Sequence, residues 1–294
     1  MLTPALLTRV VGAALEEDAP WGDLTSTALL PADATAAADL VAREPGVLAG
    51  GDVFAAAFTL TDPVTVVDLH VADGDAFAAG DVLATVTGSA RSLLTAERVA
   101  LNFTQRLSGI ATLTAAYVAA VDGAGPDGKQ VRIVDTRKTT PGLRAFERHA
   151  VLAGGGRNHR FSLSDAVMAK DNHLAVLSSG GRDLATALRE AIATLPHTAH
   201  VVVEVDRLDQ IPAVLEGGAH TVLLDNFSLD DLRAGVALID GRATAEASGG
   251  VDLDTVRGIA GTGVDVISVG ALTHSARALD LGLDVRIDAG PRID

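Results

Sequence analysis

Apolar and polar positions follow two rhythms along this chain, and the change falls near residue 131. Leu2, Leu6, Leu7, Val10, Val11, Ala14 and Leu15 recur at helical spacing, which predicts an amphipathic helix over residues 1 to about 15. The stretch Glu17–Thr25, EDAPWGDLT, reads as an acidic turn that stops it. From about 35 to 90 the pattern shortens. ATAAADLVARE and VTVVDLHVAD predict strands, with GDVFAAAFTL as a short helix between them. DGDAFAAGDVLATVTGSA reads as a turn-rich hairpin. It lacks the central lysine that a lipoyl or biotin carrier modifies, so the region is expected to be a structural α+β domain. SLLTAERVALNFTQRLSGIATLTAAYVAAV, from 92 to about 121, predicts the longest helix, interrupted near Ser108-Gly109. Arg98 and Arg106 are its only cations, and an isolated helix arginine reads as a surface residue. GPDG at 125–128 closes this part with a turn.

From 131 onward, short β-branched runs each end in a polar residue and give way to a helical pattern. VRIVD ends at Asp135, AVMAK at Lys170, VVVEVD at Glu204 and Asp206, and TVLLD at Asp225. ATAEAS ends at Glu246 and Ser248, and VDVISVG at Ser268 and Gly270. Helices between them include DLATALREAIATL and SLDDLRAGVALID, the second with Ser228 as N-cap and Asp230 and Asp231 in its first turn. Six βα units with continuous apolar strands predict a parallel sheet. Their even spacing suggests closure into an irregular, open α/β barrel, with a seventh strand left unplaced.

Composition agrees. The chain has 294 residues, enough for a full core and two domains. Aromatics are only 3 %, so Ala, Val, Leu and Ile must fill the core, as in parallel α/β folds. The absence of cysteine excludes a disulfide scaffold, a thiolate metal site and a thiol nucleophile. No apolar run approaches the roughly 20 residues that span a bilayer, and the N-terminus lacks the pattern of a signal peptide. A soluble cytoplasmic protein is the expectation. A formal net charge of −15 argues against a nucleic-acid partner, which needs a basic face.

Charge changes the picture at one place. Between Asp135 and His173, Arg137, Lys138, Arg144, Arg148, Arg157, Arg160 and Lys170 outnumber Asp135, Glu147, Asp165 and Asp171 by three in this acidic chain. Two of the chain's three lysines fall there. These cations alternate with Gly154-Gly155-Gly156, Thr139, Thr140 and Pro141, which places them on loops and strand ends rather than on a solvated helix face. An anion site is the stronger reading. The carboxyl ends of barrel strands form the active face, and every strand here ends in a residue able to touch a charged substrate. Arg137, Lys138, His159, Arg160 and Lys170 suit a small polyanion. Glu204 and Asp225 suit Mg²⁺ or sugar hydroxyls. Ser248-Gly249-Gly250 and Gly270 open backbone N–H groups to phosphate oxygens. No activated serine is evident, so covalent nucleophilic catalysis is not favoured.

The motifs DTRKTTPGLR, GGGRNHR, SDAVMAKDNH, VEVD, LLDN, SGG and SVGALTHS, in that order, resemble quinolinate phosphoribosyltransferase, also called carboxylating nicotinate-nucleotide pyrophosphorylase. The N-terminal ED…GDLT and LLTAERVALNF…LSGIAT extend the resemblance over nearly the whole chain. It implies a decarboxylating glycosyltransferase of NAD biosynthesis that joins quinolinate to phosphoribosyl pyrophosphate with Mg²⁺. It also implies the type II phosphoribosyltransferase architecture: an N-terminal α+β sandwich domain over 1–112, with the tail from about 275 to 294 packing back on it, and a catalytic α/β barrel over 113–274. The quinolinate carboxylates would meet Arg137, His159, Arg160 and Lys170, with Thr136 beside them. Lys138 would sit by the pyrophosphate as a catalytic group. Glu204 and Asp225 would be catalytic at the ribose hydroxyls and hold the metal, directly or indirectly. Ser248, Gly249, Gly250, Ser268, Val269 and Gly270 would surround the 5′-phosphate. The resemblance implies a homodimer, or a hexamer built on it, in which Arg98 reaches the neighbouring site. That replaces the surface reading of Arg98 and leaves Arg106 with it.

Three rivals remain. A paralogous transferase acting on nicotinate, another pyridine carboxylate or a molybdenum-linked metabolite would leave cations of the Arg137, Arg160 and Lys170 clamp unpaired. A non-catalytic metabolite-binding barrel would be signalled by loss of Glu204, Asp225 or a lysine, and none is missing. An aldolase-type barrel would use Lys170 as a Schiff-base lysine.

Overall fold

The structure is a computed structural model describing residues 2–288. Its contacts divide into two units. The first comprises residues up to Ala115 together with Thr140–Gly155 and the segment from Ala276; the second comprises Ala116–Thr139 and Gly156–Ser275.

In the first unit, helix α1 (Pro4–Asp18) starts where Thr3 caps the backbone N–H of Leu6 and Pro4 presets the first turn. The acidic turn after it ends in a second start signal. Asp23 accepts from Ser26 N–H at 3.0 Å and opens the short helix α2 (Leu24–Leu29). Strands β1 (Thr35–Ala42) and β2 (Gly46–Val47) precede α3 (Gly51–Thr61), then come β3 (Val66–Leu69), β4 (Ala76–Phe77) and β5 (Val82–Ser89). β1 lies antiparallel between β5 and the strand Leu281–Asp288, and β3 pairs with β5. Alternation on β1 buries Ala36, Ala38, Leu40 and Ala42. The expected hairpin over 73–90 does not form, because β4 pairs with β2 and β5 with β1. Its turn residues serve another purpose: Gly80 N–H and Asp81 C=O bond Ala42. That return to β1 is a non-local pairing.

Helix α4 (Ala90–Val121) is continuous, where the sequence pattern predicted a break at Ser108-Gly109. Both residues serve close packing instead. Ser108 Oγ accepts from Ala49 N–H at 3.2 Å, and a Cβ on Gly109 would overlap the Arg277 carbonyl. Packing overrides the weak helix propensity of the pair. Arg106 likewise departs from the surface reading. Its guanidinium donates to Ala276 C=O at 3.2 Å and to Glu147 at 2.7 Å. Glu147 lies on α5 (Arg144–Ala153) with its side chain fully buried, and also accepts from Thr140 N–H at 3.0 Å and Thr140 Oγ at 2.7 Å. Asp73 accepts from Gly50 and Gly51 N–H ahead of α3 and contacts His149 at 2.6 Å. Burial pushes the Asp73 carboxyl upward, but its bonds to His149, Gly51 and Gly50 outweigh that and hold it below its ordinary value.

The second unit carries six parallel strands: β6 (Arg132–Val134), β7 (Val167–Ala169), β8 (Val201–Val205), β9 (Thr221–Asp225), β10 (Thr244–Ser248) and β11 (Val266–Ser268). Their order is β6-β11-β10-β9-β8-β7, with β6 and β7 at the edges. This is the open α/β barrel the spacing suggested. Among the described residues, the unplaced seventh strand reduces to one parallel bridge: Arg157 N–H bonds Ile133 C=O at 2.8 Å, and Asp135 N–H bonds Arg157 C=O at 3.1 Å. Two of the connecting helices start on side-chain caps, Asp183 for Leu184–Ala193 and the expected Ser228 for Leu229–Ile239.

Candidate active site

Side chains alternate across a strand, so the register decides what enters the barrel. Arg132 pairs with Val266, Val266 with Glu246, Glu246 with Leu223, Leu223 with Glu204, and Met168 with Val202. Stepping two residues along the strands from Met168, Val202, Leu223 and Glu246 reaches Lys170, Glu204, Asp225 and Ser248, and stepping four from Arg132 and Val266 reaches Thr136 and Gly270. All six line one cavity of about 690 Å³ at the carboxyl ends of the strands.

Its acidic side is fixed by short bonds. Glu204 faces Lys170 Nζ at 2.8 Å and keeps its side chain 15 % exposed. Asp225 accepts from Ser248 Oγ at 2.6 Å on one oxygen and from Asn226 Nδ2 at 2.8 Å on the other. Asn226 N–H bonds Ser248 C=O at 2.9 Å, and Asn226 adopts a left-handed φ of 58°. Gly249, at φ 92°, passes so close that a Cβ would overlap the Asn226 amide. The Ser-Gly-Gly run therefore fits because only glycine clears the side chain holding Asp225.

The cationic side is built around two neighbouring arginines. Arg137 Nε is buried without a hydrogen-bond partner. Arg160 donates to Ala166 C=O at 3.0 Å. Burial, then the neighbouring Arg137, press its pKa below the ordinary arginine value, and Asp165 offsets this in part. Two guanidinium groups so placed are stabilised by an anion between them. Lys138 is exposed, and its backbone C=O accepts from Thr273 Oγ at 2.7 Å. His159 sits differently: Nδ1 accepts from Arg160 N–H at 2.7 Å and Nε2 stands 3.3 Å from Glu246.

Thr136, Arg137, Lys138, His159, Arg160 and Lys170 all line the cavity, as do Glu204, Asp225, Ser248, Gly249, Gly250, Ser268 and Gly270. Val269 does not, being fully buried behind the strand end. Arg98 is exposed on α4, in the first unit. Sequence reasoning passed over Asn226 and His274 and named Glu246 at a strand end without placing it in the site; all three line the cavity. Asn226 follows the Asp225 strand end directly, and His274 closes the four-residue helix after Gly270, so position alone could have nominated both. Among the described residues, no cluster of three or more His, Cys, Asp or Glu could hold a metal ion, and no helix is long and apolar enough to cross a membrane.

Family models match almost end to end: the N-terminal domain of quinolinate phosphoribosyl transferase over residues 23–108 and its C-terminal domain over 110–284. The chain belongs to the quinolinate phosphoribosyltransferase family. A Mycobacterium leprae nicotinate-nucleotide pyrophosphorylase (carboxylating) is 45 % identical over 281 residues, covering 92 % of this chain and 94 % of the relative. A probable nicotinate-nucleotide pyrophosphorylase (carboxylating) of Bacillus subtilis is 41 % identical, covering 92 % of this chain and 90 % of its own. Among solved structures, NadC from Streptococcus pyogenes superposes with a TM-score of 0.90 at 42 % identity, covering 98 % of this chain and 99 % of that one. Quinolinate phosphoribosyltransferase family membership and the open barrel thus stand together.

Proposed function

We propose that this chain joins quinolinate to phosphoribosyl pyrophosphate, releasing pyrophosphate and CO₂ and leaving nicotinate mononucleotide. The observation that carries the reading is the buried Arg137 Nε without a hydrogen-bond partner, next to a second guanidinium in the same cavity. Arg137, with a buried unpartnered Nε, stands beside a partly desolvated Arg160 in the cavity that Glu204 and Asp225 also line. A diacid can place one carboxylate at each guanidinium, and each charge-assisted bond is worth roughly 1.5–3 kcal/mol.

Glu204 and Asp225 would face the ribose. As pyrophosphate leaves C1, the ribosyl centre gains positive charge, which two fixed carboxylates stabilise without reorganising. The pyridine nitrogen attacks C1 and becomes a pyridinium. The bond from C2 to its carboxylate then breaks, CO₂ leaves, and the electron pair remains at C2 beside the positive nitrogen until a proton replaces it. Ser248, Gly249, Gly250, Ser268 and Gly270 would surround the 5′-phosphate, and Lys138, an exposed cation at the rim, the pyrophosphate. Mg²⁺ fits the donor chemistry. Glu204 and Asp225 offer the hard oxygen ligands that would hold it, directly or through water. When bound, it would neutralise charge on the departing pyrophosphate. In a homodimer, Arg98 would add a further cation to the neighbouring subunit's pocket.

The test is product formation from quinolinate, phosphoribosyl pyrophosphate and Mg²⁺, with CO₂ and mononucleotide followed together and nicotinate run in parallel. Equal amounts of both products from quinolinate alone support the proposal. Mononucleotide from nicotinate without CO₂ would move the assignment to a monoacid. Absence of turnover with either would turn attention to metabolite binding.

A further inference from the structure

Parallel barrels fill their interior with branched apolar side chains, and this one keeps Val134, Val202 and Leu223 there but places Glu246 between them. Glu246 is 3 % exposed. It is also a partition. A second cavity of about 440 Å³ opens at the opposite, amino ends of the strands, and Glu246, His159 and Arg160 line both cavities. A carboxylate so deep is costly unless hydrogen-bonded. Its Oε1 takes the Ser268 hydroxyl and faces His159 Nε2 at 3.3 Å. His159 in turn accepts Arg160 N–H on Nδ1, and its backbone N–H donates to the buried Asp135 at 2.8 Å. One oxygen of Glu246 therefore ties β10, β11 and the segment that presents Arg160. With both ring nitrogens turned to the protein, His159 reads as a strut.

We propose that Glu246 is a positioning residue of the diacid pocket, holding the Arg160 segment in place through His159. The inference rests on the quinolinate reading above. Its sign separates it from a plain charge effect. Removing a carboxylate makes the pocket more cationic and, by Coulomb attraction alone, would tighten binding of a dianion. Loss of positioning weakens it.

The experiment compares Glu246→Gln, which keeps an oxygen able to accept from Ser268 and His159, with Glu246→Ala, which does not. Glu246→Ala is expected to raise the quinolinate KM about ten- to hundredfold, the equivalent of one hydrogen bond to a charged group. Glu246→Gln should raise it less than about threefold, and kcat and the phosphoribosyl pyrophosphate KM should stay within about threefold in both. Glu246→Asp, which keeps the charge on a side chain too short to reach both Ser268 and His159, carries the same expectation as Glu246→Ala and serves if that variant does not fold. A fall in quinolinate KM in both Glu246→Gln and Glu246→Ala would overturn the proposal in favour of charge. An unchanged KM with only a lower melting temperature would overturn it in favour of a structural role. Wild-type protein inert towards quinolinate would instead sink the functional reading on which this one stands.

Discussion

Gly249 and Gly250 provide a paired test of how the Asp225 loop is built. Both glycines have positive φ, 92° and 58°, so an alanine at either is strained. At Gly250 nothing lies within 4 Å of an added Cβ. The cost there is the left-handed conformation alone, about 1–2 kcal/mol. At Gly249 the added Cβ would overlap Asn226 Oδ1 and lie 2.5 Å from its Cγ and 2.9 Å from its backbone nitrogen. The backbone nitrogen is held by its bond to Ser248 C=O, so the loop must shift as well as the side chain. Overpacking of this kind adds about 1–3 kcal/mol. The expected outcome is a melting temperature clearly lower for Gly249→Ala than for Gly250→Ala by calorimetry. Displacing Asn226 also removes one of the two bonds orienting Asp225, and a misplacement near 1 Å costs about 10²-fold in rate. Equal melting temperatures for the two variants would refute the steric argument. A Gly249→Ala enzyme with unchanged kcat/KM would refute the view that Asn226 orients Asp225.

Other perturbations address different links. Arg137→Ala or Arg160→Ala should mainly raise the quinolinate KM, and steady-state kinetics with an unchanged KM in both would remove them from the pocket. Arg106→Met strands the fully buried Glu147 charge and should destabilise by about 3–5 kcal/mol in chemical denaturation, with much of the loss recovered by adding Glu147→Leu. Asp73, whose folded pKa is held below 3.8, contributes stability that is present above its unfolded pKa and lost as pH falls through the folded value. Asp73→Asn should therefore flatten the acid side of the melting profile below about pH 4, and an unchanged profile would show that the His149 contact carries none of it.

The parallel barrel was legible because each strand is short, apolar and closed by one polar residue, and those residues sit two positions above an inward-facing row. Lys170, Asp225 and Ser248 could be nominated that way. Local patterning was silent where a distant backbone makes the demand. Ser108-Gly109 looked like a helix break because nothing nearby in sequence announces Ala49 or Arg277. The 73–90 hairpin failed for the same reason: β4 answers to β2, not to the strand that follows it. Arg106 carried the same surface signature as Arg98, and its partners, the buried Glu147 41 positions away and the Ala276 carbonyl, are distant in sequence.

Glu246 is the most instructive miss. In ATAEAS it occupies the polar slot of an alternating strand, and in most sheets that slot faces water. In a parallel barrel covered by helices, both faces of the strand are enclosed. A polar residue on the inner face must then find its partners inside the bore. The β9 residue it pairs with, Leu223, keeps the usual apolar choice, so Glu246 is not a general feature of the row. Its partners come from β11 and from the loop carrying His159, neither of which periodicity can link to it. A carboxylate retained at that depth, with its oxygen facing the histidine before Arg160, carries a cost that apolar packing would avoid. That cost is the reason to look for its role in the pocket above rather than in the stability of the barrel.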